Sequence, residues 1–407
     1  MTTQEEKGSE QSGTEHILRG YSGRIFIAIT LSWAGLQLGR GVIPPLLPAI
    51  MDSLAITPFL AGLALTVLTV TNAGLQFLGG RLADAWSRKT VVMCSLIVLL
   101  AGLIVLLGAV NYPLFLLGVA LVGSASGLFF TPMRASLADV FVSRRGRAYG
   151  VNEGVGSAAV VLAAAVAAIV LWWSYWRIAF VPGLVLVIVS VVVVHRWHGG
   201  GYVIGRVSLE AQSTFRGLVR ARPMVLLLAS YGLVVFSIQG AFGFLPAMLQ
   251  AEHGFSPSLA SLGYAALFVT GAVGMPVAGV LSDRADRLLV AAIVTVLAGL
   301  GILGVTLAPS PVLIFGAIGI FAIGILGYPP VVQSHLMDVF PDERMAQDFG
   351  AFKTIYIAVG SLGPTYVGYT VEFWGYRPAF WGLGVCLFAS SAIICGLWIR
   401  GRSDRER

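Results

Sequence analysis

Apolar residues fill this chain in long runs broken by short polar knots, and twelve runs reach the length of about 20 residues that a helix needs to cross a bilayer. They lie at 24–50, 59–81, 90–110, 113–138, 147–172, 176–195, 223–249, 258–281, 288–308, 311–338, 347–372 and 378–399. Between runs 6 and 7 stands one long polar segment, 196–222, which carries Arg196, Arg206, Arg216, Arg220 and Arg222 against a single acid, Glu210. The pattern predicts an all-α membrane protein in two halves of six spans, 24–195 and 223–399. The polar segment is the linker between them, and tails flank them at 1–23 and 400–407.

Composition agrees. Hydrophobic residues make up 57% of the chain and charged residues 11%, with a mean hydropathy of +0.87, values that exclude a soluble domain of this length. The net charge of +7 does not point to nucleic acid, because the basic residues cluster in alternate loops between apolar runs. Those loops hold Arg88 and Lys89; Arg144, Arg145 and Arg147; the linker; Arg284 and Arg287; and the tail with Arg400, Arg402, Arg405 and Arg407. The opposite loops hold Arg177 and Arg377. By the positive-inside rule both termini are expected in the cytoplasm, with the chain crossing the cell membrane many times. The first 20 residues are polar and lack the apolar centre of a cleavable signal, which leaves targeting to span 1. Cys94, Cys386 and Cys395 lie in apolar runs without metal-ligand spacing, so they read as packing residues, and neither metal nor cofactor is expected.

The charged knots repeat. "GGRLADAWSRK" at 79–89 is answered by "GVLSDRADR" at 279–287, "ADVF" at 138–141 by "MDVF" at 337–340, and "YWRIAF" at 175–180 by "GYRPAF" at 375–380. Three matches in the same order at an offset of 199 or 200 make the chain two copies of one six-span unit. Parallel repeats about an axis along the membrane normal, with a solute site between them, are an architecture of secondary transporters.

On these residues the chain resembles the major facilitator superfamily from span 1 to span 12. The hallmark loop between spans 2 and 3 is carried by Gly80, Leu82, Ala83, Asp84, Arg88 and Lys89, and in looser form by Gly279, Leu281, Ser282, Asp283 and Arg287. Ala85 and Ser87 depart from the usual pattern. The resemblance implies two six-helix bundles related by pseudo-two-fold symmetry, working by alternating access, with a monomer as the expected state. It also implies that Arg88 pairs with Asp139 at the end of span 4, in a cluster that latches one face. Gly80 is expected to let two helix ends approach, and Asp84 to cap or meet a helix N-terminus.

Ionisable groups inside a span are costly and so mark function by default. Arg40 stands 16 residues into span 1, with Gln37 and Pro44 on its face at helical spacing. In the family that the chain resembles, spans 1, 4, 7 and 10 line the cavity. Arg40 is therefore the candidate anion-binding residue, with partnership to carbonyls or a helix end as the structural alternative. Span 7 places Gln239 at the matching position, a lopsided pairing of charge and amide that suits a monoanion or zwitterion. Tyr328 and His335 share a face of span 10, and His335 is either a solute ligand, a proton acceptor or a structural histidine. Asn72 and Gln76, at i and i+4 in span 2, either hydrogen-bond the solute or join helices. Arg134, near the basic end of span 4, is either a site residue or one that reaches to the interface. Glu153 in span 5 and Lys353 in span 11 occupy repeat-equivalent places, which predicts a salt bridge across the two-fold when the inner gate is shut. Glu153 is also the candidate for a coupled proton.

The function expected is a secondary transporter for a small organic solute, anionic or zwitterionic, with protons as the candidate coupling ion and the bilayer as its surroundings. A drug/proton antiporter is the alternative, weakened because span 5 reads "GVNEGVGSAAV" without the expected proline while "GSLGP" falls in span 11. A receptor of the same fold would share this sequence pattern. An enzyme is disfavoured: no Gly-rich phosphate loop, no His-Glu-x-x-His and no paired nucleophile and base are present.

Overall fold

The computed structural model describes residues 19–173, 175–205, 222–339 and 345–405, and every regular element among them is helical. Span 1 is two helices, α1 (Gly20–Gly41) and α2 (Ile43–Leu54); spans 2 to 5 are α3 (Pro58–Ala85), α4 (Arg88–Leu107), α5 (Tyr112–Val140) and α6 (Arg145–Leu171). Span 6 is a 3-10 turn, Trp176–Phe180, running into α7 (Val181–Trp197). Spans 7 to 10 are α8 (Arg222–His253), α9 (Pro257–Arg284), α10 (Arg287–Leu307) and α11 (Pro311–Val339). Span 11 is divided into α12 (Met345–Gly360) and α13 (Gly363–Trp374), and span 12 is α14 (Tyr376–Arg405). Among the described residues eleven spans are long and apolar enough to cross a membrane, and span 11, whose two helices are each shorter, is the expected span outside that set.

Proline explains both divided spans. Pro44 and Pro45 have no N–H to give to the carbonyls of Arg40 and Gly41, and the helix restarts at Ile43 after one turn residue, Val42. In span 11, Pro364 does the same to Gly360, and the chain turns through Ser361 and Leu362. Two expected boundaries move. Span 12 runs on through Arg405, so 400–405 continues the helix and is not a separate tail. The expected linker begins with an ordered stretch, 198–205, that docks on the first half. Residues 1–18, 206–221 and 406–407, with Phe340 of the second "DVF" motif, lie outside the described residues.

The repeat reaches down to single turns. Thr57 and Ser256, each followed by proline, cap spans 2 and 8 by accepting from the N–H groups of Leu60 and Leu259. Ser87 and Asp286 cap spans 3 and 9 in the same way. Ala55 and Gly254, which follow spans 1 and 7, both take the left-handed conformation, with φ of 49° and 65°. Each of these pairs is 199 residues apart.

The two bundles meet most closely at the end away from the basic loops, which we call the opposite end. Backbone touches backbone there: a Cβ on Gly62 would overlap the Pro364 carbonyl, and one on Gly368 would overlap that of Pro58. Thr66 Oγ1 donates to the Ser361 carbonyl at 2.9 Å and lies 2.7 Å from Thr365 Oγ1. The Phe59 N–H donates to Glu372 Oε2 at 3.1 Å, and Ser258 Oγ to the Ala168 carbonyl at 3.3 Å. Val160 and Ala164 of span 5 pack on Tyr264 and Ala265 of span 8 to complete this seam.

Candidate functional site

Between the bundles lies a cavity in two lobes that share Gln37, Arg40, Thr69 and Gln239. One lobe, of 250 Å³, is walled by Pro44, Leu65, Phe242, Tyr264, Phe268 and Pro364; the other, of 330 Å³, by Trp33, Asn72, Gln76, Phe130, Gln333, Lys353 and Tyr356. Arg40 stands in the last turn of α1, where the helix breaks, so its side chain leaves the helix beside the break and enters the shared region. It takes part in none of the ion pairs among the described residues. Tyr264 is the ionisable group that faces it. Five carboxamides line the cavity, from Gln37, Asn72, Gln76, Gln239 and Gln333, and no acid does among the described lining residues. Such a wall offers two-way hydrogen bonding and net positive charge in a region of low dielectric.

Lys353 enters this wall from span 11, with its ammonium 4.5 Å from the centre of the Phe130 ring of span 4. Arg134 lies 4.6 Å from the same ring, so one phenyl group serves two cations. Glu153 accepts from Arg134 Nη2 at 3.2 Å. The acid at 153 is thus paired within its own half, and the expected bridge from Glu153 to Lys353 is not what this structure holds. Its reason is local: Arg134 and Glu153 lie on facing turns of spans 4 and 5, with the Tyr149 hydroxyl tied to the Arg134 carbonyl at 2.9 Å.

Two expected wall residues stand elsewhere. Tyr328 is 3% exposed and packs edge-on against Tyr231 at 5.6 Å in the core of the second bundle. His335 lies within electrostatic reach of Asp338, Asp286 and Arg287 at the basic end. Span 10 reaches the cavity through Pro329 and Gln333, which lie on another face of the helix. Gln333, an amide inside an apolar run, was the signal that the sequence offered for that face.

At the basic end the two charged knots build matching clusters. Arg88 pairs with Asp139 and donates to the Ala135 carbonyl; Arg287 pairs with Asp338 and donates to the Ser334 carbonyl. All three positions repeat at 199 residues, so the looser copy keeps the geometry of the first. The close approach at this end falls on Gly79, where a Cβ would meet the backbone of Leu128 at 3.0 Å, more than on Gly80, where Thr131 leaves 3.3 Å. Gly279 has open space around it. Asp283 is exposed and in no ion pair among the described residues, and the side chain of Asp84 lies outside the described set.

Lys89 has partners other than those of the Arg88–Asp139 cluster. Its side chain is buried, donates to the His195 carbonyl at 3.1 Å and lies 4.9 Å from the Tyr202 ring. It fastens span 3 to the end of span 6 and to the segment beyond. That segment is held further by the Trp86 indole donating to the Gly205 carbonyl at 2.9 Å, the Ser87 N–H to the Val203 carbonyl, and the Val203 N–H to Thr90 Oγ1. Burial, with Lys89 and Arg88 close by, pushes the pKa of His198 in this segment down.

A model of the Major Facilitator Superfamily matches residues 29–364, with a second match over 227–407. An uncharacterized MFS-type transporter of Mycobacterium tuberculosis is 27% identical over 127 residues, a stretch that makes up 31% of this chain and 30% of that relative. Among solved structures, that of the nucleoside transporter NupG superposes with a TM-score of 0.78 at 12% identity, covering 92% of this chain and 99% of the other. A D-xylose–proton symporter gives 0.73 at 14% identity over 92% and 97%. A bacterial homolog of the human lysosomal transporter Spinster, inward-facing and unoccupied, gives 0.72 at 16% identity over 92% and 96%. At these identities the likeness is one of fold.

Proposed function

Because the chain belongs to the major facilitator superfamily, we propose that it carries a small organic anion across the membrane by alternating access, with Arg40 as the charge contact. The observation that carries this reading is the wall of the central cavity, where Arg40 stands among five amides with no carboxylate partner among the described residues. A guanidinium left unpaired in a protein interior loses solvation that an anionic solute restores. The solved relatives are named for nucleosides, a sugar and Spinster-type transport. They differ too much among themselves to supply the solute's identity. A lipophilic-cation carrier would need a carboxylate on this wall, and the described lining has none.

Purified protein screened by thermal shift against organic anions and lipophilic cations tests the reading. An anion at 100 times its dissociation constant should stabilise the protein by about 2.7 kcal/mol. Arg40→Gln should abolish that shift and counterflow of the same anion in liposomes, whereas stabilisation by cations that survives Arg40→Gln would move the assignment to drug efflux.

A further inference from the structure

The cavity wall holds two cations, and they come from different halves. Arg40 belongs to span 1 and Lys353 to span 11, and both line the 330 Å³ lobe. Arg134, which shares the Phe130 ring with Lys353, has its carboxylate in Glu153; Arg40 and Lys353 are in no ion pair among the described residues. An ammonium resting on an aromatic face recovers part of its hydration energy but keeps its hydrogen-bond donors free for a stronger acceptor. Trp33, Phe130 and Tyr356 add aromatic surface to the wall of the same lobe.

Resting on the anion-carrier reading above, we infer that Lys353 is a second anion-binding group and that the solute carries two anionic groups on an apolar or aromatic body. One group meets Arg40 on the first half and the other meets Lys353 on the second. The solute is then a strut between the halves, and its second charge supplies binding that a monoanion of the same skeleton lacks. This narrows the expectation from the Arg40 and Gln239 pairing, which had suited a single charge.

The test uses full-length protein and matched probes: benzoate and isophthalate, hydrocinnamate and phenylsuccinate, with the methyl ester of each as neutral control. Affinities are read by thermal shift and by calorimetry. Wild-type protein should bind the dicarboxylates about tenfold more tightly than the monocarboxylates, the gain expected of one charge-assisted contact. Lys353→Gln should erase that advantage, weakening dicarboxylates far more than monocarboxylates; Lys353→Arg should keep most of the advantage, which separates loss of charge from loss of fold. Arg40→Gln should weaken both classes. Equal binding of mono- and dicarboxylates in wild type, both lost in Arg40→Gln, would overturn the inference and leave the anion carrier standing. If Glu153→Gln erased the dicarboxylate advantage as fully as Lys353→Gln, Lys353 would act through Glu153 and the inference would fall. No stabilisation by any carboxylate, with Arg40→Gln behaving as wild type, would sink both readings.

Discussion

Arg40 shows how a proline break brings a charged side chain to a cavity. A guanidinium in the middle of an unbroken span would face lipid or a packed helix. At the end of α1 it has the negative end of a helix beside it, and the cavity in front. That much was legible in the sequence, because a lone arginine followed within five residues by two prolines is rare in an apolar run. Tyr328 was not legible. Spacing places it on a face of span 10 but does not say that Tyr231 covers that face. Lys353 was legible as an intramembrane charge; repeat symmetry pointed to Glu153, whereas here its ammonium rests on the Phe130 ring with Glu153 at electrostatic range. Ala55 supplies a prediction at this scale. It is the described non-glycine residue with positive φ, and its repeat partner is Gly254. Holding an L-residue left-handed costs roughly 1 kcal/mol, so Ala55→Gly should raise the melting temperature in a thermal-shift assay while leaving ligand binding unchanged.

Helix ends carry the repeat more faithfully than helix faces do. Caps, left-handed turns and arginine clusters recur at 199 residues, whereas the cavity-facing residues have diverged to Arg40 against Gln239. Ends obey local rules of hydrogen bonding that any copy must satisfy, while cavity faces are free of that constraint. In the second knot Gly279 has open space and Asp283 is in no ion pair among the described residues, yet Arg287 rebuilds the pair made by Arg88. Both pairs are partly exposed, so double-mutant cycles for Arg88 with Asp139, and Arg287 with Asp338, should each give less than about 1 kcal/mol of coupling in unfolding stability. Transport should respond more strongly. Asp139→Asn and Asp338→Asn should lower the turnover of counterflow to similar extents, and a large loss confined to Asp139→Asn would make the second cluster a topological charge only.

At the scale of the molecule, twelve apolar runs and one repeat sufficed to read the architecture, since each span is a local decision about length and polarity. The seam between the halves was hidden, because it depends on which helix faces meet after folding. Gly62 and Gly368, where carbonyls of the other half enter the space of a missing side chain, make it close at the opposite end. Overpacking of this kind costs about 1–3 kcal/mol. Gly62→Ala should therefore disfavour the state in which this end is closed. Flux should fall while equilibrium binding persists, and labelling of a cysteine introduced at Asp52, at that end, should speed up; unchanged labelling would mean that the seam yields without opening.

The stretch 198–205 has a mechanical consequence. It is sewn to Trp86, Ser87, Lys89 and Thr90, the loop that also carries Arg88. Any pull that the second half exerts along the chain is therefore delivered at that loop and not at the end of span 6. On the alternating-access reading proposed above, the stretch 198–205 and the Arg88 loop move as one part, where the primary structure suggests two.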